Sequence, residues 1–352
     1  MRLRFLFEKP GRQNPVINYS YSGRVVEFIG KYALIILIVL IVFVIAFIDA
    51  SFLSIANFRA ILVQSATRII LACGIGSIIV LGSIDLALGR TVGLAAVISA
   101  SLLQAADFSM RAFGFSPLPL IIVIFIVMIV TGILTAAQSL IISKWGAAPF
   151  IVSLGASQII FGLCFIYYNI IGSTPISNFD STFVEFSQGA TYLFAGIGIP
   201  NLILYAAFVC ILTWFIWNKT VLGKHMFAIG GNREAAKYSG VNLSKTVFFI
   251  YFIAGLMYGL GGTLEAGRTG SAVPITGAGY ELDAIAACVV GGVSLRGGVG
   301  SVKGIVLGVI LFQFIAYGLI FIGIPPDIQF IIRGLILVFA ITIDAFKYQR
   351  KS

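Results

Sequence analysis

Charged residues are scarce in this sequence. Only 10% of its 352 residues are Asp, Glu, Lys or Arg, whereas 59% are hydrophobic, and the mean hydropathy is +1.07. Soluble domains carry roughly 25% charged residues, and a chain this apolar would leave large uncovered apolar patches in water. The composition therefore excludes a soluble enzyme, a nucleic-acid-binding domain and a disordered protein, and it predicts a polytopic membrane protein.

Residues suited to metal binding and catalysis are also few. The single histidine, His225, has no Cys, His or carboxylate cluster beside it, and the four cysteines lie in apolar segments, where Cys behaves as a small hydrophobe. The phosphate-binding motif G-x-x-x-x-G-K-[ST] is absent, because neither Gly-Lys pair is followed by Ser or Thr. We therefore expect no metal, no cofactor and no catalytic residues, so a partner or an ion gradient must supply any energy.

Apolar windows predict an all-α membrane bundle of about ten spans. A span needs about 20 residues, and it must be helical because its backbone polar groups have to be satisfied within the segment. The eighth window is short and flanked by glycines, so either a full span or a re-entrant, broken helix fits it. The predicted spans are 33–48, 60–81, 86–105, 118–142, 151–171, 200–217, 247–266, 281–295, 304–322 and 328–346.

Basic residues indicate the orientation of the bundle. With ten spans and a cytoplasmic N-terminus, 18 of the 23 Lys and Arg residues fall on the cytoplasmic side. Because cytoplasmic loops are enriched in Lys and Arg, we expect both termini to be cytoplasmic. The predicted organisation is a cytoplasmic segment at 1–31, a transmembrane domain at 32–346 and a cytoplasmic tail at 347–352. The two longest loops are 172–199 outside and 218–246 inside.

Two aspartates lie near the starts of the third and eighth predicted spans, Asp85 in GSIDLALGR and Asp283 in YELDAIA. A charge inside the bilayer normally faces a cavity or a partner. Their similar surroundings indicate a weak internal repeat, hence two pseudo-repeated halves, which transporters build from broken helices. Each Asp could instead cap a helix N-terminus, and the two roles can coexist. Candidates for a translocation path are Asp85, Arg90, Asp283, Gln64 and Asn169.

The inner loop carries the most informative pattern. Glu234-Ala235-Ala236 is followed by three residues and then Gly240, which predicts a short helix with a glycine C-cap. On the cytoplasmic side such a helix would offer a rigid contact to a partner.

Seven segments along nearly the whole chain carry a family resemblance. They are GSIDLALGRTVGLAAVISASLLQ (82–104), PFIVSLG (149–155), STPISNFDS (173–181), WNKTVLGKHMFAIGGNREAAKYSGVNL (217–243), LEAGRTGSA (264–272), YELDAIAACVVGGVS (280–294) and DAFKYQRK (344–351). The chain resembles the inner-membrane permeases of bacterial ABC sugar importers of the ribose/galactose type, and within them the galactose/methyl-galactoside branch. Ala87 departs from the pattern, since many relatives have Ser there.

The resemblance implies a permease core made of two copies of this chain in the bacterial inner membrane. A cytosolic ABC ATPase would grip the 218–246 loop, and a periplasmic or lipid-anchored sugar-binding protein would dock outside. The substrate would be a monosaccharide, with galactose, glucose or a methyl galactoside favoured, moved by alternating access. Candidate ATPase-coupling residues are Gly230, Gly231, Asn232, Glu234, Ala235, Ala236 and Gly240. Candidate docking residues for the binding protein are Asp180, Glu185, Arg268 and Glu281.

Other readings remain open from the sequence. A ribose, autoinducer or nucleoside permease of the same fold is the alternative within the family. An ion-coupled secondary carrier would use Asp85 and Asp283 as ion sites, although a carrier working alone does not need the inner-loop helix. A membrane-embedded enzyme would require a catalytic cluster that the sequence does not offer.

Overall fold

Helices make up nearly all the regular structure in the computed structural model, which describes residues 39–40, 42–114, 116–172, 174–192 and 198–349. In chain order they are α1 (42–48), α2 (Ile55–Val80), α3 (Leu88–Leu102), α4 (Leu120–Trp145), α5 (Pro149–Ile170), α6 (Ser181–Gln188), α7 (Asn201–Lys219), α8 (Val221–Gly231), α9 (Arg233–Tyr238), α10 (Leu243–Thr269), α11 (Tyr280–Val290), α12 (Val302–Phe321) and α13 (Pro326–Gln349). A 3₁₀ helix (Ala50–Leu53) precedes α2, and strands β1 (Ala190–Tyr192) and β2 (Gly198–Pro200) pair antiparallel. The predicted segment 1–31, the beginning of the first predicted span and the end of the predicted tail lie outside the described residues.

Local sequence signals set many of the helix boundaries. The side chains of Ser54, Asn242 and Ser301 each accept a hydrogen bond from the backbone N–H three residues later, which satisfies one of the free donors of a helix start. At the other end, α4 and α10 stop at Gly146 and Gly270, both left-handed, a conformation that glycine adopts without a Cβ penalty.

The helices follow the predicted spans closely. Among the described residues, six helices are long and apolar enough to cross a membrane, namely α2, α4, α5, α7, α10 and α12. Helices α3 and α11 have 15 and 11 residues, fewer than the about 20 that a span needs. The chain is thus a predominantly helical polytopic bundle, while the count of ten spans and the cytoplasmic termini stay predictions.

The eighth predicted span is shorter than expected. The sequence predicts a span over 281–295, but α11 ends at Val290, where Gly291 is the C-cap and Gly292 has φ +84°. Gly279 before the helix has φ +82°. At 1.5 Å per residue α11 is about 16 Å long, which favours the broken helix over a full span.

Helices α2 and α10 form the centre of the bundle and pack against each other. Close approach depends on glycines of α10. A Cβ on Gly255 would lie 2.6 Å from the Thr131 carbonyl oxygen and 2.7 Å from the Cα atom of Gly132, both on α4. Helix α5, by contrast, exposes large apolar side chains such as Ile159 and Ile166, a surface suited to lipid.

Replacing Gly255 with leucine is expected to lower the thermal midpoint of the purified protein, because the new side chain would force α10 away from α4. Overpacking of this kind typically costs about 1–3 kcal/mol. Gly162→Leu on α5 is the matched control, since a Cβ there meets nothing within 4 Å. Equal midpoints for the two variants in lipid nanodiscs would contradict this account of the packing.

Candidate functional site

The inner loop folds into two short helices, α8 and α9. Asn232 caps α9, its Oδ1 accepting the Ala235 N–H at 2.9 Å, and Gly240 follows the helix with φ +83°. The predicted short helix followed by a left-handed glycine is therefore present. Ala236 is buried, whereas Glu234 and Ala235 are exposed, so α9 anchors one face to the bundle and presents the other outward.

Backbone contacts between glycines attach α8 to the rest of the bundle. We call Gly82, Gly230, Gly231, Gly297 and Gly298 the glycine junction. The Gly298 N–H donates to the carbonyl oxygen of Val80, the last residue of α2, at 2.8 Å. A Cβ on Gly230 would overlap that oxygen and lie 2.5 Å from Gly298 N. The end of α2, the end of α8 and the loop after α11 thus meet without intervening side chains.

Asp85 lies in the break between α2 and α3 and is fully buried. Its Oδ1 accepts the Ala87 N–H at 2.8 Å, while Ala87 itself holds the N-cap position of α3. The other oxygen, Oδ2, has no hydrogen-bond partner among the described residues, and Tyr258 of α10 lies next to the carboxylate. The capping alternative therefore accounts for only one of the two oxygens.

Asp283 lies in the first turn of α11 and forms ion pairs. Its Oδ2 lies 3.2 Å from Arg68 Nη1 and 3.5 Å from Arg333 Nη1. The N-cap of α11 is Gly279, so Asp283 does not hold the capping position. Gln64, another predicted path residue, is on α2 beside this cluster and lines the same cavity.

The other two path candidates lie elsewhere. The Arg90 guanidinium sits over the Phe161 ring of α5, 3.9 Å from its centroid. Asn169 is exposed near the C-terminal end of α5 and does not line the Asp283 cavity. The structure thus brings Gln64 and Asp283 together but does not join Arg90 or Asn169 to them.

An open acidic groove of about 930 Å³ contains two of the predicted docking residues. Glu185 of α6 is exposed, and Asp180 caps α6 by accepting the Thr182 N–H at 3.0 Å. Asp107, in the loop after α3, lines the same groove and was missed by the sequence analysis. It is adjacent because the Asp180 N–H bonds to the Leu103 carbonyl oxygen at 2.8 Å, joining the two loops.

Arg268 and Glu281, the other docking candidates, make internal contacts instead. Arg268 is bonded to Glu265, with Nη2–Oε1 2.7 Å and Nε–Oε2 3.1 Å. Glu281 lies against Gly89 of α3, and its Oε2 is buried without a partner in the described part of the chain. Neither residue lines the acidic groove, so their docking role has no support from this geometry.

A family model described as "Branched-chain amino acid transport system / permease component" matches residues 57–341. The chain belongs to this family. It is therefore a membrane permease component of a transport system and not an enzyme, and the family resemblance of the sequence is confirmed. No solved structure matches the permease at a significant level.

Individual relatives of the permease cover nearly its whole length. It is 47% identical to the galactose/methyl galactoside import permease protein MglC of Escherichia coli, over 90% of this chain and 94% of that protein. The same-named protein of Haemophilus influenzae is 45% identical over 86% of this chain and 90% of its own length. The ribose import permease protein RbsC of Bacillus subtilis is 32% identical, with coverages of 91% and 92%.

Gly230→Ala is expected to loosen the attachment of α8 and α9 to the permease core, because the added methyl group overlaps the Val80 carbonyl oxygen that Gly298 binds. Gly231→Ala is the matched control, since a Cβ there meets nothing within 4 Å. Amide hydrogen exchange of residues 296–298 should become about tenfold faster in the first variant, equivalent to about 1.4 kcal/mol, and stay unchanged in the second. The same exchange rates in both variants would show that the glycine junction does not hold α8.

Proposed function

We propose that this permease is the transmembrane subunit of an ATP-driven importer that moves galactose, glucose or a methyl galactoside across the bacterial inner membrane. The observation that carries the proposal is the 47% identity over 90% of the chain to a galactose/methyl galactoside import permease. The lower identity to a ribose import permease, 32%, supports the galactose class over the ribose alternative.

The structure of the inner loop supports a separate ATPase as the energy source. Helix α9 exposes Glu234 and Ala235, while Asn232, Ala236 and Gly240 fix its ends and its buried face. A rigid, outward-facing helix can pass a displacement to the core only if it is firmly attached. The glycine junction provides that attachment, because it joins α8 to α2 and to the loop after α11.

The pattern of helix contacts supports two related halves. Helix α2 packs against α11 and α12, and α10 packs against α3 and α4. Each long central helix therefore contacts the two helices that follow the other one in the chain. With ten spans and cytoplasmic termini, α2 runs inward and α10 outward, so the halves form the inverted type of repeat found in many transporters. Alternating access then arises when one half rocks against the other.

The proposed importer has three protein partners and a sugar path. A cytosolic ABC ATPase contacts α9, a sugar-binding protein docks on the acidic groove, and a second copy of this chain completes the permease core. The path is lined by residues near Asp85, which lies just before the short helix α3, and Asp283, which lies in the first turn of the short helix α11. A carboxylate inside the membrane normally faces a cavity or a partner, so the buried Asp85, whose Oδ2 accepts no hydrogen bond from the described residues, supports a polar path at this point.

Sugar uptake by the complex reconstituted in proteoliposomes is expected to require ATP on the cytoplasmic face of the permease and to be independent of ion gradients. Radiolabelled galactose should accumulate with ATP, and unlabelled galactose or methyl galactoside should compete better than ribose. Accumulation driven by a proton or sodium gradient in the absence of ATP would establish the ion-coupled carrier instead. Stronger competition by ribose would move the permease to the ribose class.

Binding of the sugar-binding protein is expected to slow when the acidic groove is neutralised. Asp107→Asn combined with Glu185→Gln removes two exposed carboxylates without touching the Asp180 cap. Surface charge mainly affects the association rate, so this rate should fall several-fold at low salt and converge with wild type at high salt. Asp327→Asn, an exposed carboxylate in the first turn of α13, is the control. Unchanged association rates by surface plasmon resonance would place the docking surface elsewhere.

A further inference from the structure

A cavity of about 120 Å³ lies between α2, α11, α12 and α13. Its polar wall is built from all four helices, by Gln64 and Arg68 of α2, Asp283 of α11, Gln313 of α12 and Arg333 of α13. Amides and ion pairs that converge on a cavity inside an apolar bundle are expensive to bury, and they mark functional positions in membrane proteins.

The polar groups of the cavity bond to one another, but several of their hydrogen-bonding atoms stay available to a ligand. Both arginines approach the same Asp283 oxygen, Oδ2, and Arg68 is fixed against the Tyr280 ring, 3.2 Å from its centroid. The Arg333 Nε is buried without a hydrogen-bond partner among the residues described. Gln313 Nε2 donates to Gln64 Oε1 at 2.8 Å, a bond that uses neither the Gln64 NH₂ group nor the Gln313 carbonyl oxygen.

This mixture of groups discriminates between classes of ligand. A metal cation would meet two guanidinium groups, and an apolar molecule would leave the charged groups without new partners. An anion would have to compete with the Asp283 carboxylate, with which both arginines already pair. Hydroxyl groups donate and accept hydrogen bonds at once, so they can satisfy arginines, carboxylate and amides together. Phe312, which also lines the cavity, offers an apolar surface for the C–H face of a sugar ring.

The size of the cavity and its depth in the membrane further restrict the ligands that it can bind. Pockets for drug-sized ligands measure roughly 300–1,000 Å³, so about 120 Å³ suits one small molecule and excludes a disaccharide. Arg68 is 13 residues along α2 from Ile55, about 20 Å at 1.5 Å per residue. In a hydrocarbon core about 30 Å thick that position is deep in the bilayer, beside the start of the short α11.

We propose that this cavity binds one neutral monosaccharide inside the permease, with Arg68, Asp283, Arg333 and the Gln64–Gln313 amide pair as its hydrogen-bonding groups. The proposal rests on the proposed import function and adds a second point of sugar selection to it, within the membrane subunit. Weak binding is expected at such a site, because a transported sugar must also be released from it.

Saturation-transfer NMR on the full-length permease in lipid nanodiscs, free of glycoside detergents, tests the proposal. Wild-type permease should transfer magnetisation to galactose and glucose, more weakly to galacturonate, and not to sucrose, which is too large for the cavity. Gln64→Leu combined with Gln313→Leu removes the amide pair without leaving an unpaired charge. Apparent galactose affinity should fall about tenfold, as expected for the loss of two uncharged hydrogen-bonding groups. Gln158→Leu on the exposed face of α5 is the matched control and should bind like wild type.

Several results would overturn the proposal. They are no transfer to any neutral monosaccharide, unchanged affinity in the double variant, equal loss in Gln158→Leu, or tighter binding of galacturonate than of galactose. The thermal midpoint of each variant shows whether it is folded, and Phe312→Leu, which keeps every polar group, replaces the double variant if that fails to fold. ATP-driven galactose uptake by the wild-type complex is measured in parallel. Uptake without cavity binding would refute this site alone, whereas absence of uptake would refute the import function.

Discussion

The fold depends on how a few ionised side chains are compensated inside an apolar bundle. Glu265 of α10 is fully buried, and it accepts hydrogen bonds from Thr67 of α2, from Arg268 and from the Tyr280 hydroxyl at the start of α11. The guanidinium group of Arg68 in turn lies over the Tyr280 ring. The Arg268 pair lies within α10, whereas the bonds from Thr67 and Tyr280 join α10 to α2 and α11. Because a hydrogen bond to a charged group contributes about 1.5–3 kcal/mol, these two bonds hold the three helices in one arrangement.

The same chain of contacts continues to the cavity. Arg68 and Arg333 share the Asp283 carboxylate, so α13 is tied to α11 and α2 by the groups that line the proposed sugar site. The hydrogen bonds and ion pairs that extend from Glu265 through Tyr280 and Arg68 to Asp283 therefore set the positions of α2, α11 and α13 around the cavity. A polar cavity can persist between these otherwise apolar helices because its charged groups are compensated by the Asp283 ion pairs and by the Tyr280 ring.

Local patterns in the sequence predict single helices but not the contacts between distant segments. Apolar windows predict the six long apolar helices, and the spacing of Glu234 and Gly240 predicts α9, whereas the count of ten spans stays a prediction. Pairing of Arg68 with Asp283, 215 residues apart in the sequence, has no local signature. Arg268 was assigned to docking although Glu265 lies three residues before it, a spacing at which helical side chains meet. The glycines of the junction were visible as residues, but their contacts depend on three distant segments.

The cavity and the glycine junction are connected by the same helices. Helix α2 contributes Arg68 to the cavity and Val80 to the glycine junction, which are 12 residues apart, or about 18 Å along the axis. Helix α11 contributes Asp283 at its start, and the loop that follows it reaches the junction through Gly298. In the proposed importer, a displacement of α8 and α9 by the ATPase would reach the cavity through α2, because α2 connects the glycine junction to Arg68. Helices α12 and α13 supply further walls of the cavity, so a shift of α2 relative to them would change the shape of the cavity and its contacts with the sugar.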